Sequence, residues 1–315
     1  MGRRRLVRVA VSSFATGMAL SGVMVILPLY ATRTLHLSNA AFARVLSLRM
    51  IGITAGVVLL GAISDRFGTR RLTTLSLAAG GACLGLLGFV PLAAFLVLVP
   101  LMSAFLSTAF VNLNNLTQMV DVQRQGMANT LYRATGSVAG ILSPLIMTRL
   151  LDHIGIVLAV AGAGMVASAA HMRSYPLDET HEPFQGWLTE FRTMGEMYRK
   201  ALAQRRLMGF IHPSLLWGAL TTVVGTFAAI RLTNELGASA SYYGNACAVG
   251  SALTLAGILA LGAALDRMSI KRCTIALFLA ASLCTVVLGL LGSVRGTAVA
   301  FVVFTVATGA SLGPL

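Results

Sequence analysis

The chain has 315 residues, a formal charge of +14, 57% hydrophobic residues and only 11% charged ones, with a mean hydropathy of +0.82. These values exclude an ordinary soluble domain, in which about a quarter of residues are charged. The basic excess sits at the amino terminus and in alternate loops, so it reads as membrane topology and not as a nucleic-acid surface.

Ten apolar segments, each near the length of about 20 residues that crosses a bilayer, are predicted at 7–30, 40–62, 72–92, 94–118, 126–148, 154–172, 207–230, 241–264, 273–292 and 296–315. The start, MGRRRLVR and an apolar run, imitates a secretory signal. The run is too long for one and a second segment follows at once, so it is read as the first span. The second span carries Arg44 and Arg49 and ends in the charged turn GAISDRFGTRRL, with Gly61, Asp65, Arg66, Gly68, Arg70 and Arg71. Gly81-x-x-x-Gly85 in the third span is a small-residue spacing suited to close helix packing. The fourth span holds a polar stripe, Thr108, Asn112 and Asn115, which either lines a cavity or bonds to a neighbouring helix. Asp121 follows at its inner end. The fifth span contains Arg133 and Gly136-x-x-x-Gly140.

A polar stretch at 173–206 separates the sixth span from the seventh. Within it Trp187, Phe191, Met194, Tyr198 and Leu202 share one helical face, with Glu190, Arg192, Glu196, Arg199 and Lys200 on the other sides. The pattern predicts a helix along the inner membrane surface, either a passive linker or a partner-binding element. His212-Pro213 opens the seventh span. The proline is expected to break the helix locally and the histidine to be able to carry a proton. Tyr242 and Tyr243, at the start of the eighth span, are expected as interface anchors. A second charged turn, GAALDRMSIKRC, then brings Gly262, Asp266, Arg267, Lys271 and Arg272, 201 residues after the first copy. The four cysteines lack ligand spacing and read as small apolar residues.

A long internal repeat in an apolar chain marks a transporter built from two similar halves. The division expected is an amino-terminal bundle of six helices at 1–172, a cytoplasmic linker at 173–206, and a carboxy-terminal bundle of four helices at 207–315. The charged turns place carboxylates and cations at the inner ends of helices, where a desolvated ion-pair network can latch one state and yield to water in another. Asp121 is the natural partner for Arg66 or Arg70. The alternative is that these charges only fix topology and tighten a turn.

These turns resemble the major facilitator superfamily, whose members have a Gly-x-x-x-Asp-Arg-x-Gly-Arg-Lys/Arg signature after helix 2. Gly61, Asp65, Arg66, Gly68, Arg70 and Arg71 match it, but Thr69 replaces the first basic residue after the glycine. The copy at 262–273 has Ser269 in place of the second glycine. Gly136-x-x-x-Gly140-x-x-x-Pro144 and Pro28-Leu29-Tyr30 are also similar to the family. The resemblance implies an all-α, two-bundle membrane fold of twelve helices, of which about ten, six plus four, are present. It also implies a gating role for the two charged turns. A truncated product is therefore one expectation.

Ionisable residues inside spans are costly and are functional candidates by default. Arg49 and Arg133 lie within spans, and no Asp or Glu lies well inside one. Two cations without a carboxylate favour an anionic guest, because Arg offers a fork of donors to carboxylate or phosphate. The other reading is that each Arg caps carbonyls or bonds an amide. The expectation is a secondary transporter of a small organic anion, held by Arg49 and Arg133 with help from Asn112, Asn115, Thr108 and His212. A coupled proton is possible in this scheme. Proton-coupled drug efflux is the alternative within the class, and a non-transporting receptor the alternative outside it. No phosphate-cradling loop, nucleophile–base pair or metal cluster is seen, so no enzyme activity and no cofactor are expected. The expected setting is a monomer in the inner cell membrane, with a cytoplasmic amino terminus and no nucleic-acid partner.

Overall fold

The computed structural model describes residues 2–118, 125–174, 187–265 and 270–311. Its described residues are almost entirely helical and contain no strand. That is the outcome hydrocarbon imposes, because a helix satisfies its backbone polar groups within itself. The helices are α1 (Gly2–Leu29), α2 (Asn39–Ala55), α3 (Gly61–Phe67), α4 (Thr69–Leu86), α5 (Leu92–Gln118), α6 (Gln125–Arg149), α7 (Ile154–Arg173), α8 (Trp187–Ala203), α9 (Arg205–Ile230), α10 (Ala240–Leu265), α11 (Ile270–Leu290) and α12 (Val294–Ser311). Each predicted apolar segment is helical over most of its described residues. Among the described residues, Val7–Thr34, Asn39–Leu60, Leu92–Thr117 and Leu151–Arg173 are long and apolar enough to cross a membrane, while Ile275–Leu290 and Val294–Gly309 are apolar but shorter.

The helices pack in two groups. α1 lies against α5, α6 and α7, α4 against α5 and α7, and α2 against α5. Their core includes Phe42, Leu77, Leu84, Phe95, Met102 and Met165. α10 and α11 both lie against α12, around Tyr243, Ala281, Phe301 and Phe304. The groups meet where α10 packs on α6 and α1 packs on α9, and Val25 and Leu29 of α1 belong to the second core.

Small residues set the closest approaches. A Cβ on Gly52 would lie 2.2 Å from the Pro100 carbonyl oxygen, and one on Gly56 2.2 Å from that of Ala104. α2 and α5 are thus in backbone contact at two successive turns. α4 and α7 meet in the same way, Gly162 facing the Gly81 carbonyl. Without a hydrophobic force between helices in lipid, such fit is a main source of association.

Residues 39–67 form one helical run with a π-turn at Gly56–Leu60 between α2 and α3. A π-turn opens the carbonyl ladder, and α5 supplies donors to it: Ser107 Oγ donates to Ile53 O at 3.3 Å and Thr108 Oγ1 to Gly56 O at 2.9 Å. Prolines sit inside α1, α5 and α6 at Pro28, Pro100 and Pro144. α9 likewise continues as a helix through residue 213, so the local break expected at Pro213 does not occur. A proline removes one N–H, and the bonds of the adjacent turns carry the helix past it.

Tyr243 also differs from expectation. It is 2% exposed, its hydroxyl donates to Gly225 O at 3.1 Å, and its ring packs 5.6 Å from that of Phe301. A tyrosine that finds a carbonyl for its hydroxyl joins a core as readily as an interface. Tyr242 is the exposed member of the pair.

Candidate functional site

Arg49 is the one charged side chain among the described residues that the fold buries deeply, at 5% exposure. It lies on the inward stripe of α2 with Phe42, Val45, Leu46 and Gly52, the spacing of one helical face. Above it, Phe42 meets Phe227 of α9 in an edge-on pair with centroids 6.5 Å apart. Below it, Gly52 presses on α5. Among the described residues Arg49 has no hydrogen-bond or ion-pair partner. A buried guanidinium with its donors uncommitted is costly, and an anion entering beside it would offset that cost.

The polar stripe of α5 faces α2 and α3. Thr108, 1% exposed, divides its hydroxyl between Gly56 O and Ala104 O. Asn112, also 1% exposed, accepts from Ser64 Oγ at 3.4 Å. Ser64 stands 3.5 Å from Thr69 Oγ1, so the threonine that replaces a basic residue of the signature belongs to a buried hydroxyl–amide chain. The Asn112 Nδ2 has no partner among the described residues. Asn115 is exposed. These contacts match the helix-bonding reading of the stripe.

At the charged turn, Gly68 has φ 93° and ψ 129°, a conformation that favours glycine. Its N–H donates to Ser64 O at 3.0 Å and thereby ends α3. A Cβ on Gly61 would meet nothing within 4 Å. Arg70 is half-buried and Arg71 exposed. Asp121, Asp266 and Arg267 lie outside the described residues, as do the side chains of Asp65, Arg66, Arg133, His212, Lys271 and Arg272.

At the far end from this turn the structure reveals a second pair of repeated elements. After α1 and after α9 the chain makes a π-turn, at Tyr30–Thr34 and at Arg231–Glu235. In the first corner Leu35 N donates to Tyr30 O and Leu37 N to Ala31 O; in the second, Leu236 N to Arg231 O and Ala238 N to Leu232 O. A left-handed residue follows, His36 at φ 51° or Gly237 at φ 71°. Ser38 and Ser239 then accept from the N–H groups of Ala41 and Tyr242, the usual helix N-cap bond. Each element repeats at an offset of 201, the offset of the charged turns. Thr32 and Thr233, Leu35 and Leu236, and Ser38 and Ser239 are identical at it, which is the signal that sequence reasoning had available.

The two corners are clasped together. Arg33 Nε donates to Asn234 Oδ1 at 3.3 Å and Arg33 Nη2 to Thr233 O at 3.1 Å. Asn234 Nδ2 returns a bond to Thr32 Oγ1 at 3.2 Å. Further along, Gly244 of α10 sits against Thr148 and the Pro144 carbonyl of α6, and Gly140 of α6 against Ser251. The helix groups are therefore closed against each other at the end away from the charged turn.

A duplicated arrangement of apolar helices, closed at one end and holding a buried cation, defines a membrane transporter class and not an enzyme. The chain belongs to the Major Facilitator Superfamily, which it matches over residues 9–315. No curated protein matches the sequence significantly. Among solved structures, the chain is similar to the nucleoside transporter NupG, at 17% identity and a TM-score of 0.71 over 98% of this chain and 79% of that one. It is also similar to a D-xylose–proton symporter (15%, TM-score 0.64, 98% of this chain and 80% of that one). A bacterial homolog of the human lysosomal transporter Spinster, in an inward-facing and unoccupied conformation, gives 14% and 0.68, with 99% and 74% covered. At such identities the likeness is one of fold.

Proposed function

We propose that the protein is a secondary transporter of a small organic anion, working by alternating access between two helix groups, 1–172 and 207–315, joined by the linker 173–206. On this reading about ten helices cross the inner membrane and the amino terminus is cytoplasmic. The observation that carries the substrate class is Arg49, a deeply buried guanidinium with no hydrogen-bond or ion-pair partner among the described residues. Intramembrane cations persist where they bind something, and none of the described residues supplies a partner. A carboxylate or phosphate received in fork geometry would satisfy several of its donors at once. Arg133, Asn115 and His212 are the further residues proposed to approach the guest. Thr108 and Asn112 support the site through α2 and α3.

The corner clasp supports the mechanical half of the proposal. With Arg33, Thr32, Thr233 and Asn234 engaged, the end away from the charged turns is closed, and on this reading that is the outer end of the transporter. In the opposite state the clasp parts, and Gly61, Asp65, Arg66, Gly68, Arg70 and Arg71, with Asp121 and the second set Asp266, Arg267, Lys271 and Arg272, form the inner latch.

The test is ligand-induced thermal stabilisation of the purified protein. Small carboxylates or phosphates are expected to raise Tm, and Arg49→Ala to abolish the rise. Because Arg49→Ala removes a costly buried charge, its own Tm is expected to be unchanged or higher. Stabilisation by lipophilic cations, or anion stabilisation that survives Arg49→Ala, would overturn the substrate assignment.

A further inference from the structure

Helix α8 is absorbed by none of this. It packs on α9, yet Phe191, Tyr198 and Leu202 remain 47%, 44% and 53% exposed. These side chains lie at steps of seven and four, which is one helical face, and α8 is about 25 Å long at 1.5 Å per residue. Arg192 and Arg199, seven residues apart, nearly share an angular position at the edge of that face. Both are exposed, with Arg192 engaged only loosely by Glu196 at 3.5 Å.

Where α8 sits follows from its junction with α9. A single residue, Gln204, separates the two helices, and its backbone is extended at φ −81° and ψ 106°. A one-residue junction holds the end of α8 next to the start of α9, the helix read from the sequence as the seventh span. The extended backbone at Gln204 interrupts the helix there, so α8 is a separate helix tethered closely to α9. Arginine stems at the edge of an apolar stripe can lie along hydrocarbon while their heads reach anionic headgroups.

We infer that α8 is an in-plane anchor that binds anionic lipid, with Phe191, Tyr198 and Leu202 inserted at the headgroup boundary and Arg192 and Arg199 on lipid phosphates. A soluble protein partner is the competing occupant. It is disfavoured because exposed cations, Arg192 and Arg199, flank exposed apolar side chains on a helix tethered by one residue to a span, the combination that suits an anionic lipid surface.

Trp187, the first residue of α8, reports on this directly, since the chain has only two tryptophans and Trp217→Phe leaves it alone. The full chain is placed in nanodiscs of phosphatidylcholine, with or without phosphatidylglycerol, whose acyl chains are plain or brominated. Most of the Trp187 emission should be lost in brominated discs that contain phosphatidylglycerol, and clearly less in neutral ones. Arg192→Glu combined with Arg199→Glu should return the loss to its neutral-disc level. Emission indifferent to bromine would place α8 off the bilayer, and quenching indifferent to headgroup charge would remove the anionic lipid; either result overturns the inference. The comparison of the two disc types needs no change in α8, so it stands even if the charge-reversed variant fails to fold.

Discussion

At Tyr30–Thr34 and at Arg231–Glu235 the chain makes the same wide turn twice, but the arginines of the two corners reach in different directions. Arg33 leaves its own helix group and bonds Thr233 and Asn234 in the other. Arg231 stays at home: its Nη2 donates to Gly289 O at 3.0 Å and Leu291 O at 2.9 Å, and its Nη1 to Glu235 Oε2 at 3.1 Å. The carbonyls at the end of α11, which have no donors of their own in the helix, are thus capped by a side chain from the second corner. One backbone motif serves as a clasp in the first copy and as a structural cap in the second. Duplication conserved the turn and left the side chains free to take separate roles.

Four substitutions probe that division. Arg231→Ala has the largest expected effect: losing charge-assisted bonds to two carbonyls should cost about 2 kcal/mol of stability, read as a lower Tm in detergent. The left-handed position comes next. Gly237→Ala should destabilise by about 1 kcal/mol through strain. The matching change His36→Gly should be close to neutral, since relief of strain is offset by the roughly 0.5–1 kcal/mol of backbone freedom that a glycine loses on folding. Equal responses at the two positions, again by thermal unfolding, would show that the turns are not equivalent. Arg33→Ala is expected to be mild on Tm but the most informative about motion. Loss of about 1 kcal/mol from the clasp shifts the balance toward the opened state by roughly fivefold. Spin labels on Asn39→Cys and Ser241→Cys in a cysteine-free background should then populate a longer distance; an unchanged distance distribution would mean that the clasp does not hold the state.

The helices themselves were legible in the sequence, because long apolar runs set apart by polar segments leave little choice in hydrocarbon. The charged turn at 61–72 was legible too, since Gly68 announces a backbone that other residues avoid. The corners were not. Their repetition lies in bonds between backbone groups five and six residues apart, which different side chains can accompany, and only scattered identities such as Thr32 with Thr233 betray it. The partners of Thr108 and Asn112 were out of reach for another reason. A periodic stripe says which side chains share a face, whereas what that face meets is decided by a helix some fifty residues earlier. Tyr243 was misjudged on the same ground, because its place depended on the Gly225 carbonyl of a separate helix.

The π-turn at Gly56–Leu60 has one more consequence. Such a turn is an α-helix that has accepted one extra residue, so everything beyond it is rotated by about 100° relative to a helix drawn straight through. A helical wheel plotted over 39–67 therefore assigns Ser64 and its neighbours to the wrong side. Removing Val57 would reset the phase, turning Ser64 away from Asn112 and the charged turn away from α5 while leaving every residue of the signature in place. For this helix the spacing between motifs carries information that the motifs themselves do not, and an alignment that closes a one-residue gap here would align letters while misaligning faces.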